Sequence, residues 1–265
     1  MIQDWPIGVF DSGVGGLSVF REIRKQLPDE SLYYFADTGN CPYGSKREED
    51  ACALARESIR FLINRGCKLV VIACNTVTAV AIERFRQNYL VPFVGMEPAV
   101  KPAVRETLTG KVGVLATENT FKGRLFKAAY EKYSAQIDLV VQPGYGLVEL
   151  VEQGKQDSDE ARELLTGYLL PMIEKGVDTL VLGCTHYPFL KSAIREIAGH
   201  RLAIIDPAPA VARQVSRILK SSDLASGKDH PAGYRFYSTG EPGITETFVR
   251  AVMETEYRVE QVVID

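Results

Sequence analysis

Two cysteines close apolar segments of the same design, Leu69-Val-Val-Ile-Ala-Cys74-Asn75-Thr76 and Leu180-Val-Leu-Gly-Cys184-Thr185-His186. Each lies eight residues beyond a glycine, Gly66 or Gly176, that closes a helix-like stretch, so each thiol is expected at the carboxyl end of a strand. Two thiols held alike point to one reaction carried out from two sides. The chemistry that needs two equivalent, weakly acidic groups is removal of a proton from one face of a carbon and return of a proton to the other. A free thiol is only a few per cent ionised at neutral pH, so each needs an activating neighbour. Lowering a thiol pKa from about 8.5 to roughly 6.5 raises the thiolate fraction at pH 7 to about three quarters.

The elements that must hold these thiols alternate throughout. Apolar runs at Ile7–Phe10, Leu32–Phe35, Leu69–Ala73, Pro92–Gly95, Val112–Ala116, Ile137–Val141, Thr179–Gly183 and Leu202–Ile205 have strand length, with amphipathic stretches between them. This predicts an α/β protein with mainly parallel sheets flanked by helices. The clearest helix is expected over 157–175, where Ala161, Leu164, Leu165, Tyr168, Leu169, Met172 and Ile173 recur at three and four residues. Tyr234–Thr239 and Gln261–Ile264 read as two more strands around a helix over 243–255, completing the first sheet. Trp5 and the pairs Tyr33-Tyr34 and Phe236-Tyr237 are expected in the core.

An internal repeat underlies the alternation. Ile7-Gly-Val-Phe-Asp11-Ser12 resembles Val112-Gly-Val-Leu-Ala116-Thr117, Cys74-Asn-Thr resembles Cys184-Thr-His, and Val94-Gly-Met-Glu-Pro98-Ala-Val resembles Ile205-Asp-Pro-Ala-Pro209-Ala-Val, at offsets of 105, 110 and 111 residues. Two similar lobes follow, one of residues 1–96 with 209–265 and one of residues 97–208, with the active site in the cleft between them. Ligands of open α/β sheets sit outside the carboxyl ends of the strands, where the notable polar residues of this chain fall. Asp11-Ser-Gly-Val-Gly-Gly16 is one such turn. It places Asp11 and Ser12 in a cleft and is a poor nucleotide motif, because Ser18 stands where a third glycine is required and no Gly-Lys-Ser/Thr follows.

Composition bounds the partners. With 265 residues, 46% of them hydrophobic, the chain can bury a sizeable core. A net charge of −3 with scattered basic residues gives no stripe for nucleic acid or membrane, so a small-molecule substrate is expected. No signal-like leader and no apolar run of about 20 residues is seen, so a cytoplasmic protein is expected. The five cysteines Cys41, Cys52, Cys67, Cys74 and Cys184 contain no C-x-x-C pair, and His186, His200 and His230 lack metal-site spacing, so neither a disulfide framework nor a metal site is expected. Cys52 and Cys67 read as ordinary partly buried residues, and Cys41 as incidental to its loop.

Gly8-Val-Phe-Asp-Ser-Gly-Val-Gly-Gly-Leu17, Cys41-Pro-Tyr-Gly44, Ala73-Cys-Asn-Thr76 and Gly183-Cys-Thr-His-Tyr-Pro188, in that order, resemble the glutamate racemases of the aspartate/glutamate racemase superfamily over nearly the whole chain. The resemblance implies a cofactor-independent enzyme that interconverts L- and D-glutamate, supplies the D-isomer for peptidoglycan, and forms a homodimer of two-lobed subunits. It implies Cys74 as the base acting on D-glutamate and Cys184 as the base acting on L-glutamate, with Asp11 assisting the first and His186 the second. An aspartate cannot lower a thiol pKa by its charge, so Asp11 would take or relay a proton. Asp11, Ser12, Tyr43, Gly44, Asn75, Thr76, Thr185 and His186 match substrate-binding positions, and Thr117 and Thr120 are further candidates for that task. Glu152 matches a glutamate near the second cysteine, with Glu149 close enough to compete. Many relatives carry a Cys-Pro pair just before this segment, where this chain has Pro143-Gly-Tyr145. Because the Asp-Ser-Gly turn starts at residue 11, no N-terminal extension of the kind some relatives carry is expected.

Two other readings use the same scaffold. One is a racemase for aspartate or another amino acid, and the other is a non-catalytic two-lobed ligand-binding protein. In the two-base reading the sulfurs stand on opposite sides of one Cα, roughly 6 to 8 Å apart in a closed cleft, since reacting heavy atoms approach to about 3 to 3.5 Å.

Overall fold

The apolar segments form strands β1 (Ile7–Asp11), β2 (Leu32–Ala36), β3 (Leu69–Ile72), β4 (Phe93–Gly95), β5 (Lys111–Ala116), β6 (Asp138–Pro143), β7 (Thr179–Gly183), β8 (Ala203–Ile205), β9 (Tyr234–Ser238) and β10 (Val259–Gln261). In the computed structural model, which describes residues 2–228 and 230–264, every strand pairing is parallel. Met1 and Asp265, the ends of the first lobe as read from the sequence, lie outside the described residues.

The strands make two sheets, one in the order β10-β9-β2-β1-β3-β4 and one in the order β6-β5-β7-β8. Setting β2-β1-β3-β4 beside β6-β5-β7-β8 shows each strand of the second sheet in the place of the strand four earlier. The repeat in the sequence is therefore a repeat of topology. β1 and β3 are buried along their whole length, as parallel strands covered on both faces must be.

The glycines eight residues before each cysteine perform the same turn. Gly66 ends the helix Glu48–Asn64 with φ +82°, and Gly176 ends the helix Asp159–Glu174 with φ +86°, a conformation that a side chain resists. At each, the next residue's N–H bonds five residues back, Cys67 to Leu62 at 3.2 Å and Val177 to Met172 at 3.1 Å, satisfying carbonyls that the helix end leaves free. The chain then enters β3 or β7 and runs straight to Cys74 or Cys184. The second of these helices begins at Ser158, whose side chain accepts the Ala161 N–H, and it buries Ala161, Leu165, Leu169 and Met172.

The end of the chain joins the first sheet, as expected, with β9 against β2 and β10 against β9. The last strand lies at Val259–Gln261 rather than Gln261–Ile264, because its ladder stops where Gln261 meets Ser238, the last residue of β9. One buried cluster joins the sheets, with Val9 and Val71 from the first, Leu115 and Leu182 from the second, and Leu17 and Leu147 from helices between them. Tyr34, Phe236 and Tyr237 are buried and Tyr33 is half-buried, but Trp5 is 49% exposed. Trp5 precedes the central strand β1 and lies over the Gly66 turn, at the amino-terminal end of the strands and outside the layers that cover their faces. No described helix is long and apolar enough to cross a membrane.

Candidate active site

The carboxyl ends of both sheets meet at one seam. On the first side β1 ends at Asp11, and Cys74 follows β3 as the cap of the helix Asn75–Asn88. The Cys74 thiol donates to Ser12 Oγ at 3.6 Å. Burial pushes its pKa up to about 12, with the charges of Asp11 and Cys184 acting the same way and the Val77 N–H and Ser12 opposing them. Asp11 is fully buried and accepts the Gly13 N–H at 3.0 Å and the Thr185 hydroxyl at 3.1 Å. Burial raises its pKa to about 6 against the pull of His186 and of these hydrogen bonds.

On the second side Cys184 follows β7, and its Sγ lies 3.6 Å from His186 Nδ1. The other ring nitrogen, Nε2, is 2.5 Å from Glu152 Oε1, which also accepts the Val14 N–H at 2.7 Å. Burial opposes a charge on His186, but Cys184, Cys41 and Glu152 outweigh it and hold its pKa well above the usual histidine range. The ring is then an imidazolium that donates one N–H toward Cys184 and one to Glu152. Glu149, from the same short helix Leu147–Glu152, is exposed.

The glycine turn after β1 lets the two sides touch. A Cβ on Gly13 would fall 1.9 Å from Glu152 Oε1, and one on Gly15 would fall 2.4 Å from His186 Nδ1. Tyr34 fixes this turn by donating to the Gly13 carbonyl at 2.5 Å, and Ser18 Oγ lies 2.8 Å from the Gly15 carbonyl and 3.1 Å from the Thr185 carbonyl.

Further polar residues cross the seam. Thr76 and Thr117 hydroxyls are 3.1 Å apart, Thr117 and Thr120 hydroxyls 2.9 Å apart, and Gly44 sits against Thr117. Asn119 donates to the carbonyls of Tyr43 at 3.4 Å and Lys46 at 2.8 Å. The side-chain N–H₂ of Asn75, buried beside Cys74, has no hydrogen-bond partner among the described residues. A buried amide left without a partner is costly, and this one is free to donate to a polar group brought into the seam. The Tyr43 hydroxyl donates instead to Asp37, whose carboxylate also accepts from Thr239 at 2.5 Å and Asn40 at 3.0 Å. What Tyr43 and Gly44 offer a ligand is therefore their backbone.

Cys41, read from the sequence as incidental, lies in this cluster. Its sulfur, a ring nitrogen of His186 and a carboxylate oxygen of Glu152 all lie within 4.8 Å of one another. Burial pushes its pKa up to about 12 although His186 pulls it down. Local spacing carries no signal of this, since the three residues meet only through the fold; nor does it show the buried Asp37 that holds the Cys41-Pro-Tyr-Gly44 loop. A cavity of only about 60 Å³, lined in part by Gly44, Thr117, Gly144 and Glu149, lies beside the seam. A larger one, about 450 Å³ between residues 78–84 and 122–127, has neither thiol in its walls.

Residues 7–215 match the family described as Asp/Glu/Hydantoin racemase. A glutamate racemase of Ralstonia nicotianae is 49% identical over 249 residues, covering 94% of this chain and 89% of that protein. The crystal structure of a glutamate racemase from Bacillus anthracis superposes with a TM-score of 0.88 at 31% identity, covering 98% of each chain. That of the Francisella tularensis enzyme in complex with D-glutamate has a TM-score of 0.84 at 29% identity, again covering 98% of each chain.

Proposed function

The chain belongs to the Asp/Glu/hydantoin racemase family, and on that premise we propose that it racemises glutamate by proton transfer between Cα and two thiols. The observation that carries this reading is the placement of Cys74 and Cys184 at matching strand ends, with Cys74 near enough to Cys184 to feel its charge. The two lobes of this reading are residues 1–96 with 209–265, and residues 97–208.

From L-glutamate, Cys184 acts as the base. The His186 imidazolium, held by Glu152, stands 3.6 Å from the Cys184 sulfur, where it stabilises the thiolate form that reacts. The thiolate takes the Cα proton, breaking Cα–H and forming S–H. Cys74, kept protonated by its surroundings, gives its proton to the opposite face. From D-glutamate the roles reverse, and Asp11 relays the proton that Cys74 must first lose. Asn75, Thr76, Thr117, Thr120, Ser12 and Thr185, with the backbone of Tyr43 and Gly44, bind the two carboxylates and the ammonium and fix the direction of Cα–H. The unpartnered Asn75 amide and the hydroxyls lining the seam support that assignment.

In this reading the enzyme needs no cofactor, works as a cytoplasmic homodimer and supplies D-glutamate for peptidoglycan. The test is turnover of each enantiomer by purified protein without added cofactor, followed by polarimetry. Both solutions should lose their optical rotation, in EDTA as well as without it. Binding of glutamate with no loss of rotation would make the protein a receptor, and activity on aspartate alone would move it to the neighbouring substrate class.

A further inference from the structure

The third thiol has no part in this mechanism, yet it stands beside the histidine that the mechanism needs. Cys41 Sγ, a His186 ring nitrogen and a Glu152 carboxylate oxygen form a group whose donor atoms all lie within 4.8 Å. They are one donor each of the three kinds that Zn²⁺ prefers, bound at about 2.3 Å for sulfur, 2.0–2.1 Å for nitrogen and 2.0–2.2 Å for oxygen. Donors around such an ion stand about 3 to 4 Å apart. The cluster needs only a small contraction about Cys41 and an opening of the 2.5 Å contact between His186 and Glu152. His186 is buried, whereas Cys41 and Glu152 are half-buried, so the approach is from their side.

We propose that Cys41, His186 and Glu152 form a binding site for a soft divalent cation of the zinc type, and that its occupation inhibits the enzyme. On binding, Cys41 releases its S–H proton and the His186 imidazolium the one proton on the nitrogen that binds the cation, both to solvent, while three metal–ligand bonds form and a water takes the fourth position. The cation then holds His186 and Glu152 in a geometry other than the one that sets the ring against Cys184. The site lies across the family's reaction centre, but the binding of metal does not depend on the racemase reading and is measured without turnover.

The experiment titrates Zn²⁺ by calorimetry, and Cd²⁺ by its thiolate charge-transfer absorbance, into the full chain and into C74A/C184A, where Cys41 is the one thiol left in the cluster. One equivalent should bind to both proteins, and adding Cys41→Ser should weaken binding at least tenfold and remove the absorbance. His186→Gln should weaken binding as well. If C74A/C184A does not fold, comparison of wild type with Cys41→Ser alone carries the test. Equal affinity in wild type and Cys41→Ser, or loss of the site in a folded C74A/C184A, would overturn the proposal, because the cation would then sit elsewhere or on the two bases.

Discussion

Cys74 and Cys184 occupy equivalent places in two sheets of the same topology, and their surroundings are opposite in charge. Cys74 caps a helix of 14 residues, which favours a thiolate, yet the buried Asp11 and the loss of solvent push it the other way. Cys184 faces an imidazolium held by a carboxylate. The repeat has copied the backbone and the thiol, while the electrostatics of each half come from single residues the repeat does not share. Burial and Asp11 hold the Cys74 thiol protonated, whereas the cation of His186 stands against Cys184, an asymmetry that in the proposed mechanism suits action on L-glutamate. Since the two enantiomers are equal in free energy, any variant must keep the same kcat/KM in both directions. The asymmetry can therefore appear only in kcat and KM taken separately and in isotope effects.

The largest break in the comparison is removal of either thiol. Cys74→Ala and Cys184→Ala should each lower racemisation in both directions by at least about 10²- to 10⁴-fold, the usual range for a general base. They should still differ: in D₂O, Cys74→Ala should exchange the Cα hydrogen of L-glutamate and Cys184→Ala that of D-glutamate, read by NMR. Exchange of both enantiomers by one variant would remove the assignment of faces.

His186→Gln should follow, with a loss of about 10²-fold. It should also slow alkylation of Cys184 by iodoacetamide without slowing that of Cys74, as mass spectrometry of the labelled peptides can show. Glu152→Gln should cost roughly tenfold, the worth of a charge-assisted hydrogen bond of about 1.5 kcal/mol, and Glu149→Gln should leave the rate near that of the wild type. A reversed order would exchange the two glutamates in the account.

The smallest effect sharpens the first half. Asp11 has a folded pKa of about 6, above its ordinary 3.8, so between those values the native state holds more protons than the unfolded chain. Stability from this group is full below about pH 4 and falls as pH rises toward about 6. Asp11→Asn removes that loss, and its thermal midpoint relative to wild type should be higher by a few degrees at pH 7 than at pH 4. A difference independent of pH would mean that Asp11 is charged in both states.

Much of this was legible in the sequence, because strands, Schellman glycines and helix stripes are local patterns. Gly66 and Gly176 mark their turns at fixed distance from each cysteine, and the helix buries Ala161, Leu165, Leu169 and Met172 of its predicted stripe. The exposure of Trp5 is not legible, because aromatic character says nothing of whether a residue just before a strand lies within the layers or beyond their end. The place of Cys41 is hidden for a related reason: its partners are Glu152 and His186, far along the chain, and the three meet only through the fold. The commitment of the Tyr43 hydroxyl to Asp37 is equally hidden, since either a ligand or a buried carboxylate would suit a tyrosine in that loop.

The central claim is that two different thiols serve the two faces of one carbon. Its most direct test is the first few per cent of reaction in D₂O starting from unlabelled L-glutamate, with both enantiomers separated and weighed by mass spectrometry. The account predicts D-glutamate carrying deuterium at Cα while the remaining L-glutamate stays unlabelled. D-glutamate that keeps its original hydrogen, or L-glutamate that fills with deuterium as fast as product forms, would contradict it.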